Sequence, residues 1–277
     1  MTWGSSGRSL SAAEMSDLIK TCIDSGINTF DHADIYGGYT TEETFGEALL
    51  MSGVSRNNIR LISKCGIQYP SEKRPLKVKY YEYSAHYIIW SVEHSLMNLR
   101  TDYLDLLLLH RPSPLMHPDE ISEAIARLKS DGKIVDFGVS NFTPTQTELI
   151  AARTVVAVNQ IQFSLTHPDP MTDGSLDHMF RTGIRPMAWN PLGTVFREET
   201  PQTERIKNEL VHMMAKYDAP ADVILLAWIL KHPAGIIPVV GTTSAERLKQ
   251  LPKALEIDME TEDWFVLWVA ARGMKVP

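Results

Sequence analysis

Short runs of Leu, Ile and Val alternate along the chain with longer segments in which apolar residues recur at every third or fourth position. The short runs are typical of buried parallel strands, and the longer segments are typical of the helices that cover them. The predicted strands are a remnant at Thr2-Trp3, followed by residues 27–30, 59–63, 104–109, 134–139, 155–160, 185–189 and 236–240. Eight strands in alternation with helices predict an α/β fold of the (β/α)8 type, the TIM barrel.

Helices are predicted where a residue that can cap a helix precedes a periodic apolar stripe. Three such segments are 12–25 after Ser11, 85–99 after Ser84 and 120–130 after Asp119. Two further helices, near 205–217 and 221–231, precede the last strand, and residues 261–271 form an extra C-terminal helix. Because only Met1 precedes Thr2-Trp3, we expect the first strand to be truncated.

The 277 residues, of which 44% are hydrophobic, are enough to bury one large core. No linker rich in Pro, Gly or Ser divides the chain, and no repeat with a recurring signature is present. The prediction is therefore a single domain spanning residues 1–277.

Net charge and cysteine content narrow the classes of partner. A formal charge of −7 and a pI near 5.7 argue against a general nucleic-acid binder or a binder of acidic membranes. The two cysteines have no metal-site spacing and form no disulfide framework. No signal segment opens the chain, and apolar runs such as 223–230 are too short to span a bilayer. We expect a soluble cytoplasmic protein, with a monomer slightly favoured over an oligomer.

Polar and aromatic residues cluster at one end of the predicted strands. Barrel enzymes build their sites at the carboxyl ends of their strands, from the loops that follow. The residues at or just past those ends are Asp31, Lys64, His110, Asn141, Gln160, Trp189 and Gly241. This pattern predicts one functional site at the carboxyl-terminal face.

Three of these positions, together with Tyr36 in the following turn, suggest acid catalysis. Asp31 and Tyr36 are five positions apart, so a strand end and the following turn can direct both side chains into one cleft. An ammonium beside a phenol favours the phenolate and makes the phenol a stronger acid, and Lys64, held by Asp31, can supply that ammonium. His110 can then orient a substrate carbonyl. Taken singly, Tyr36 could be a half-buried core tyrosine and His110 the end of a buried strand.

The segment Asp31-His32-Ala33-Asp34 also contains residue types that bind divalent metals. Adjacent strand residues face opposite sides, which keeps Asp31 and His32 from converging on one ion. We therefore predict no metal site, and we assign His32 and Asp34 to turn or packing positions. Cys65 follows Lys64 directly, so the same alternation places it toward the helices as a buried, inert thiol.

The ordered motifs of the chain resemble those of the aldo-keto reductases over nearly its whole length. They are residues 26–31 through Tyr36-Gly37, then Ser63-Lys64, 109–112, 138–142, Asn159-Gln160 and 241–247. The resemblance implies a catalytic tetrad of Asp31, Tyr36, Lys64 and His110. It also implies a nicotinamide cofactor lying extended across the barrel mouth, although no Gly-x-Gly-x-x-Gly fingerprint of a Rossmann site is present.

The same resemblance implies a set of cofactor contacts. Ser140, Asn141 and Gln160 correspond to residues that bind the nicotinamide carboxamide, and Trp189 to the aromatic that stacks on its ring. The loop containing Asn190 and Leu192 corresponds to the pyrophosphate side, without the glycines that usually follow. The segment from Gly241 through Thr242 and Ser244 to Arg247 suits the 2′-phosphate of NADP. The lysine that many relatives place there is not evident, so NADPH is favoured and NADH stays open.

The expected activity is NADPH-dependent reduction of a small-molecule aldehyde or ketone to an alcohol, with Tyr36 as general acid. The alternative is a catalytically weak nicotinamide-binding sensor or regulatory protein on the same barrel, as the related potassium-channel β subunits suggest. A metal-dependent barrel hydrolase is a more distant third. Substrate choice would come from the loops 68–83, 167–173 and 197–203, whose shape one sequence does not show.

Overall fold

The computed structural model describes residues 3–4 and 7–276. Its strands are β1 (Thr29–Asp31), β2 (Arg60–Cys65), β3 (Ile67–Gln68), β4 (Tyr80–Tyr81), β5 (Leu104–Leu109), β6 (Ile134–Ser140), β7 (Val158–Gln162), β8 (Arg185–Trp189) and β9 (Ile237–Val239). Its helices are α1 (Ala12–Asp24), α2 (Thr41–Ser52), α3 (Ala85–Leu99), α4 (Pro118–Ser130), α5 (Pro144–Ala151), α6 (Ser175–Thr182), α7 (Pro201–Tyr217), α8 (Ala221–Leu230), α9 (Ala245–Gln250) and α10 (Thr261–Arg272).

The chain divides into two compact units. The first unit comprises Met1–Asn159 and Gly241–Ala245, and the second comprises Gln160–Val240 and Glu246–Pro277. The residues of β7 are shared between the units, because the boundary falls between its second and third residues. The single domain predicted from the sequence stays a prediction.

In the first unit, β1, β2, β5 and β6 are parallel neighbours in that order. Strands adjacent in space therefore follow one another in the chain, apart from the short antiparallel hairpin of β3 and β4. This is the order of a barrel rather than of a sheet with a switch point. The register pairs Asp31 with Ile62 and Lys64 with Leu108, which brings the strand ends that carry the tetrad to one edge.

The second unit contains parallel β8 and β9 and the helices α6 to α8 and α10. Its most buried helix, α8, is apolar on nearly all sides. The Trp228 and Trp264 rings stack at 4.9 Å with an interplanar angle of 7°, which joins α8 to α10. Each indole N–H donates to the other residue's backbone carbonyl at 3.0 Å. The predicted C-terminal helix is thus present and is anchored by this pair.

Truncating this anchor should destabilise the protein. We expect Trp264→Ala to lower the free energy of unfolding by about 3 kcal/mol, since it removes a stacked ring and leaves the Trp228 carbonyl without its indole donor. Urea unfolding would measure the change. The matched control is Phe265→Ala, because Phe265 is 40% exposed in the same helix. Equal loss in the two variants would contradict the anchoring role.

Helix starts agree with the predictions where a side chain caps the helix. Ser11 forms a capping box with Glu14 at α1, and Ser84 accepts from the backbone N–H of Tyr87 at α3. The predicted starts of α4 and α7 were wrong by a few residues. Proline at the first helical position, after His117 and Thr200 respectively, lets each helix begin earlier because its fixed φ suits that position.

Strand limits were correct for 104–109 and 185–189, and the other predicted strands were shifted or changed in length at their ends. The predicted start at 155 was wrong, because Val155 is 74% exposed and β7 begins at Val158. The Trp3 part of the predicted first strand was also wrong. Trp3 lies in a turn closed by the bond from the Leu10 N–H to its carbonyl, and Thr2 lies outside the described residues. The main sheet therefore has seven described strands instead of eight.

Every helix in the described part of the chain is too short or too polar to span a bilayer.

Candidate active site

Lys64 is the centre of the predicted tetrad, and it is almost completely buried at the end of β2. Its Nζ donates to Asp31 Oδ2 at 2.7 Å, to the His32 carbonyl at 2.8 Å and to the Tyr36 hydroxyl oxygen at 3.3 Å. An ammonium group has three N–H donors, so these bonds use all of them. Burial by itself would lower the pKa of Lys64, but Asp31 and Tyr36 outweigh burial and raise it. Lys64 is therefore a fixed positive charge.

The Tyr36 phenol is directed by the turn that follows β1. Its oxygen accepts the hydrogen bond from Lys64, so its own O–H can donate to another acceptor. The turn is tight because Gly37, Gly38 and Tyr39 have φ angles of +62°, +64° and +71°, in the left-handed region. Two glycines make this reversal accessible, and the third residue is an uncommon non-glycine in that conformation.

His110 completes the tetrad at the end of β5. Its ring lies edge-on to that of Tyr36, with the centroids 5.7 Å apart and the planes at 80°. Its pKa lies well below the ordinary histidine value, because burial and then the charges of Lys64 and Arg111 disfavour protonation. The imidazole is therefore neutral and can donate one hydrogen bond and accept another. Within the described residues, its Nδ1 has no hydrogen-bond partner.

The residues beside the tetrad lie where the strand alternation placed them. The His32 ring packs edge-on against that of Phe45, with ring centroids 4.3 Å apart. Cys65 is buried, and burial holds the pKa of its thiol well above the usual range. In the part of the chain that the structure describes, no group of three His, Cys, Asp or Glu side chains could hold a metal ion.

A buried polar layer lies behind β2, and it was not predicted from the sequence. Asp34 accepts from the hydroxyls of Tyr87 and Ser91 at 3.3 and 3.1 Å, and the Ser63 hydroxyl donates to Glu42 at 2.5 Å. Burial, reinforced by the charge of Glu42, raises the pKa of Asp34 to about 7. A sequence signal existed, because buried Ser91 and Ser95 are four positions apart in the otherwise apolar buried face of α3.

The first unit also contains the polar residues at the end of β6. Ser140 is buried, and its hydroxyl oxygen accepts from the Asn141 side-chain amide at 2.8 Å. Asn141 adopts a φ of +61°, which turns the chain sharply as the strand ends. Since β6 is hydrogen-bonded to β5, these groups follow the strand next to that of His110. An amide and a hydroxyl are suitable partners for the carboxamide of a nicotinamide.

In the second unit, Gln160 is buried in β7 and Trp189 is the last residue of β8. The chain then turns at Asn190, with a φ of +55°. Arg197 holds this turn by donating to Asn190 Oδ1 at 2.7 Å and to the Gly193 carbonyl at 2.6 Å. Leu192 is half-buried within the same turn.

The predicted phosphate segment is divided between the units. Gly241, Thr242 and Ser244 belong to the first unit, where the Ser244 N–H donates to Thr242 Oγ1 at 3.1 Å. Arg247 belongs to the second unit, where its Nε lies 3.3 Å from Asp222 Oδ2. The guanidinium is half exposed while Asp222 is nearly buried, so the carboxylate holds a cation that solutes can reach. This chemistry fits a phosphate group.

Known proteins are similar to this chain over nearly its whole length. A model of the aldo/keto reductase family matches residues 1–266. The oxidoreductase YcsN of Bacillus subtilis, described as uncharacterized, is 44% identical over 273 residues, which are 96% of this chain and 91% of that protein. The oxidoreductase YdhF of Escherichia coli is 38% identical over 97% of this chain and 91% of that protein. A 6-dehydroglucose reductase of Agrobacterium fabrum is 38% identical over 96% of this chain and 90% of that protein.

Solved structures agree with these relatives. The thermostable aldo-keto reductase Tm1743, solved with the inhibitor epalrestat, has a TM-score of 0.82 and 28% identity, covering 97% of this chain and 93% of that one. An aldo/keto reductase of Brucella melitensis, at 23% identity and a TM-score of 0.73 over 94% of this chain and 91% of that one, shares the fold. The fold class predicted from the sequence, the TIM barrel, is confirmed.

Proposed function

Because this chain belongs to the aldo/keto reductase family and is an NAD(P)H-dependent oxidoreductase, we propose that it reduces an aldehyde or ketone with NADPH, and that Tyr36 is the general acid. The observation that carries this proposal is the convergence of the Lys64 ammonium on Asp31, the His32 carbonyl and the Tyr36 hydroxyl. This arrangement leaves the phenol proton as the one that can be transferred.

Each tetrad residue has a separate role in proton transfer. The nicotinamide, when bound, supplies the hydride. Neutral His110 donates a hydrogen bond to the substrate carbonyl and orients it toward Tyr36. As negative charge builds on that oxygen, Tyr36 gives up its proton, and the ammonium 3.3 Å away stabilises the phenolate that remains. Asp31 keeps the ammonium charged and in place.

The remaining residues of the predicted site are assigned to the cofactor. In the first unit, Ser140 and Asn141 would hold the carboxamide of the nicotinamide. In the second unit, Gln160 stays a predicted carboxamide contact and Trp189 a predicted stacking residue. The turn at Asn190 and Leu192 would pass beside the pyrophosphate, with Arg197 keeping the turn in shape.

The preference for NADPH is assigned to Arg247, whose guanidinium would bind the 2′-phosphate. Gly241, Thr242 and Ser244, in the first unit, stay predicted cofactor contacts. Replacing Arg247 with alanine should weaken NADPH binding by about 2 kcal/mol and leave NADH binding nearly unchanged, because one charge-assisted contact is lost. Titrating both cofactors into the parent and the variant by quenching of tryptophan fluorescence would measure the change.

Asp222→Asn serves as the partner control in that titration, since it removes the charge that holds Arg247 but keeps the guanidinium. We expect it to have a smaller effect of the same kind. Equal weakening of NADPH and NADH in Arg247→Ala would mean that Arg247 supports the fold of this segment and does not read the phosphate.

The substrate class is proposed from the relatives. The 6-dehydroglucose reductase of Agrobacterium fabrum is named for a sugar aldehyde, so oxidised sugars are the first candidates. A panel of sugar aldehydes, simple aldehydes, ketones and diketones, each assayed with NADPH and NADH, would test this. Many turnovers on at least one carbonyl would support an enzyme. Slow oxidation of a single equivalent of bound cofactor, with no turnover on any carbonyl, would instead support the sensor or regulatory protein.

A further inference from the structure

Arg74 lies at the centre of a cluster of first-unit residues outside the tetrad. Its guanidinium carbon is 4.0 Å from the ring centroid of Tyr39 and 5.0 Å from that of Trp90. Its Nη1 donates to Gln68 Oε1 at 2.8 Å and to the Tyr87 hydroxyl at 3.3 Å. Stacking on two rings and directed hydrogen bonds together fix both the position and the orientation of the planar guanidinium. We name these five residues the Arg74 clasp.

The clasp joins three separate parts of the chain. Tyr39 belongs to the turn that contains Tyr36, while Gln68 and Arg74 belong to the segment 68–79, which leads from β3 to β4. Tyr87 and Trp90 lie on α3, a helix of fifteen residues. The α3 helix therefore provides a rigid base, and Arg74 holds both the Tyr36 turn and the segment against it.

A second set of contacts joins the same turn and segment. The Tyr39 hydroxyl accepts from the Tyr69 N–H at 2.8 Å and lies 3.3 Å from the Tyr69 carbonyl, to which it donates. The Arg74 N–H and carbonyl close a turn with Ser71. Tyr39 thus contacts the segment through its hydroxyl and Arg74 through its ring, so the two sets of contacts share one side chain.

The Tyr39 backbone depends on these contacts to keep its conformation. Its φ of +71° lies in the left-handed region, which costs energy for a residue with a Cβ. Tertiary contacts must hold such a conformation, and here they act through the buried Tyr39 ring. The carbonyl of Tyr36 accepts from the N–H groups of Thr40 and Thr41 at 3.2 Å, so the Tyr36 backbone is part of the same turn.

We propose that Arg74 is a positioning residue for Tyr36: by stacking on Tyr39, it couples the segment 68–79 to the turn that aims the phenol. This inference rests on the proposed role of Tyr36 as the acid. Substrate contacts made by the segment would then be transmitted to the proton donor, so that a substrate that fits the segment also obtains a well-aimed phenol.

The first test needs no turnover. Amide hydrogen exchange is measured on peptides covering 36–40 and 69–79 in the parent, in Arg74→Met and in the control Lys77→Met, which removes an exposed cation from the same segment. We expect faster exchange in both peptides of Arg74→Met and in neither peptide of the control. Faster exchange confined to 69–79 would overturn the coupling. If Arg74→Met does not fold, Arg74→Lys replaces it, because it keeps the charge but loses the planar stacking.

The second test measures catalysis on a carbonyl that the parent turns over. We expect kcat of the Arg74 variant to fall on the order of ten- to a hundredfold, because small misplacements of a reacting group are costly. The solvent deuterium isotope effect on kcat should grow, because proton transfer becomes slower, while NADPH affinity stays unchanged. A rise in KM alone, or a lower melting temperature with unchanged kcat, would refute a positioning role. A parent without turnover would refute the proposed function instead, and the exchange experiment would still decide the coupling.

Discussion

Replacing Tyr36 with phenylalanine should abolish carbonyl reduction while leaving the affinity for NADPH nearly unchanged. The phenol proton is the one that the Lys64 ammonium leaves available, because that ammonium donates to the phenol oxygen and does not accept from it. Loss of a general acid costs on the order of a hundred- to ten-thousandfold in rate. Steady-state kcat and a cofactor titration on the same preparation would separate the two effects.

The control for this experiment is Tyr103→Phe, which removes the phenol hydroxyl of a half-buried residue just before the amino end of β5 and should keep the rate of the parent. If Tyr36→Phe retained turnover comparable to that of the parent, the acid would be another group and the assignment of the tetrad would fail. If the variant lost NADPH binding instead, Tyr36 would belong to the cofactor site.

Replacing Lys64 with methionine should lower turnover by several orders of magnitude. The change removes the positive charge that stabilises the phenolate, and it leaves Asp31 and the His32 carbonyl without their donor. Breaking a buried ion pair on one side is also destabilising, by about 3 kcal/mol or more. Activity should therefore be normalised to the folded fraction, measured by circular dichroism on the same samples.

We also expect the stability of the parent protein to depend on pH through the charge of Lys64. The pKa of Lys64 is raised above the ordinary lysine value of 10.5 in the folded protein. The stabilising contribution of the Lys64 ammonium is therefore complete at neutral pH. It is lost only as the pH rises through the pKa that Lys64 has in the folded protein. The exposed Lys20 provides the control variant Lys20→Met, which should behave as the parent does. A Lys64→Met variant with the rate and pH profile of the parent would show that Lys64 has only a structural role.

The tetrad could be predicted from the sequence because strand ends are visible in it. The apolar runs that precede Asp31, Lys64 and His110 mark parallel strands, and parallel strands bring their carboxyl ends to one edge. The period of two along a strand also predicts that Lys64 and Cys65 face opposite sides, as do Asp31 and His32. Local rules of this kind cover the helix caps at Ser11 and Ser84 as well.

Other features depended on chain segments that are distant in sequence. The stacked Trp228 and Trp264 are 36 positions apart, and Arg74 lies 35 positions from Tyr39. No periodicity links such residues, since their contact depends on how helices and loops pack. The burial that raises the pKa of Asp34 to about 7 likewise depends on a distant segment, since Tyr87 and Ser91 of α3 donate to this carboxylate.

The sequence by itself therefore determined the fold class and the approximate strand positions, and it predicted that Asp31, Tyr36, Lys64 and His110 lie together, because these follow from local periodicity and from motifs at strand ends. Only the tertiary structure decided the hydrogen bond from Lys64 to the His32 carbonyl, the neutral state of the His110 imidazole and the grouping of four residues around Arg74. The physical reason is that burial, charge proximity and ring stacking depend on distances between segments, and the folded chain alone sets those distances.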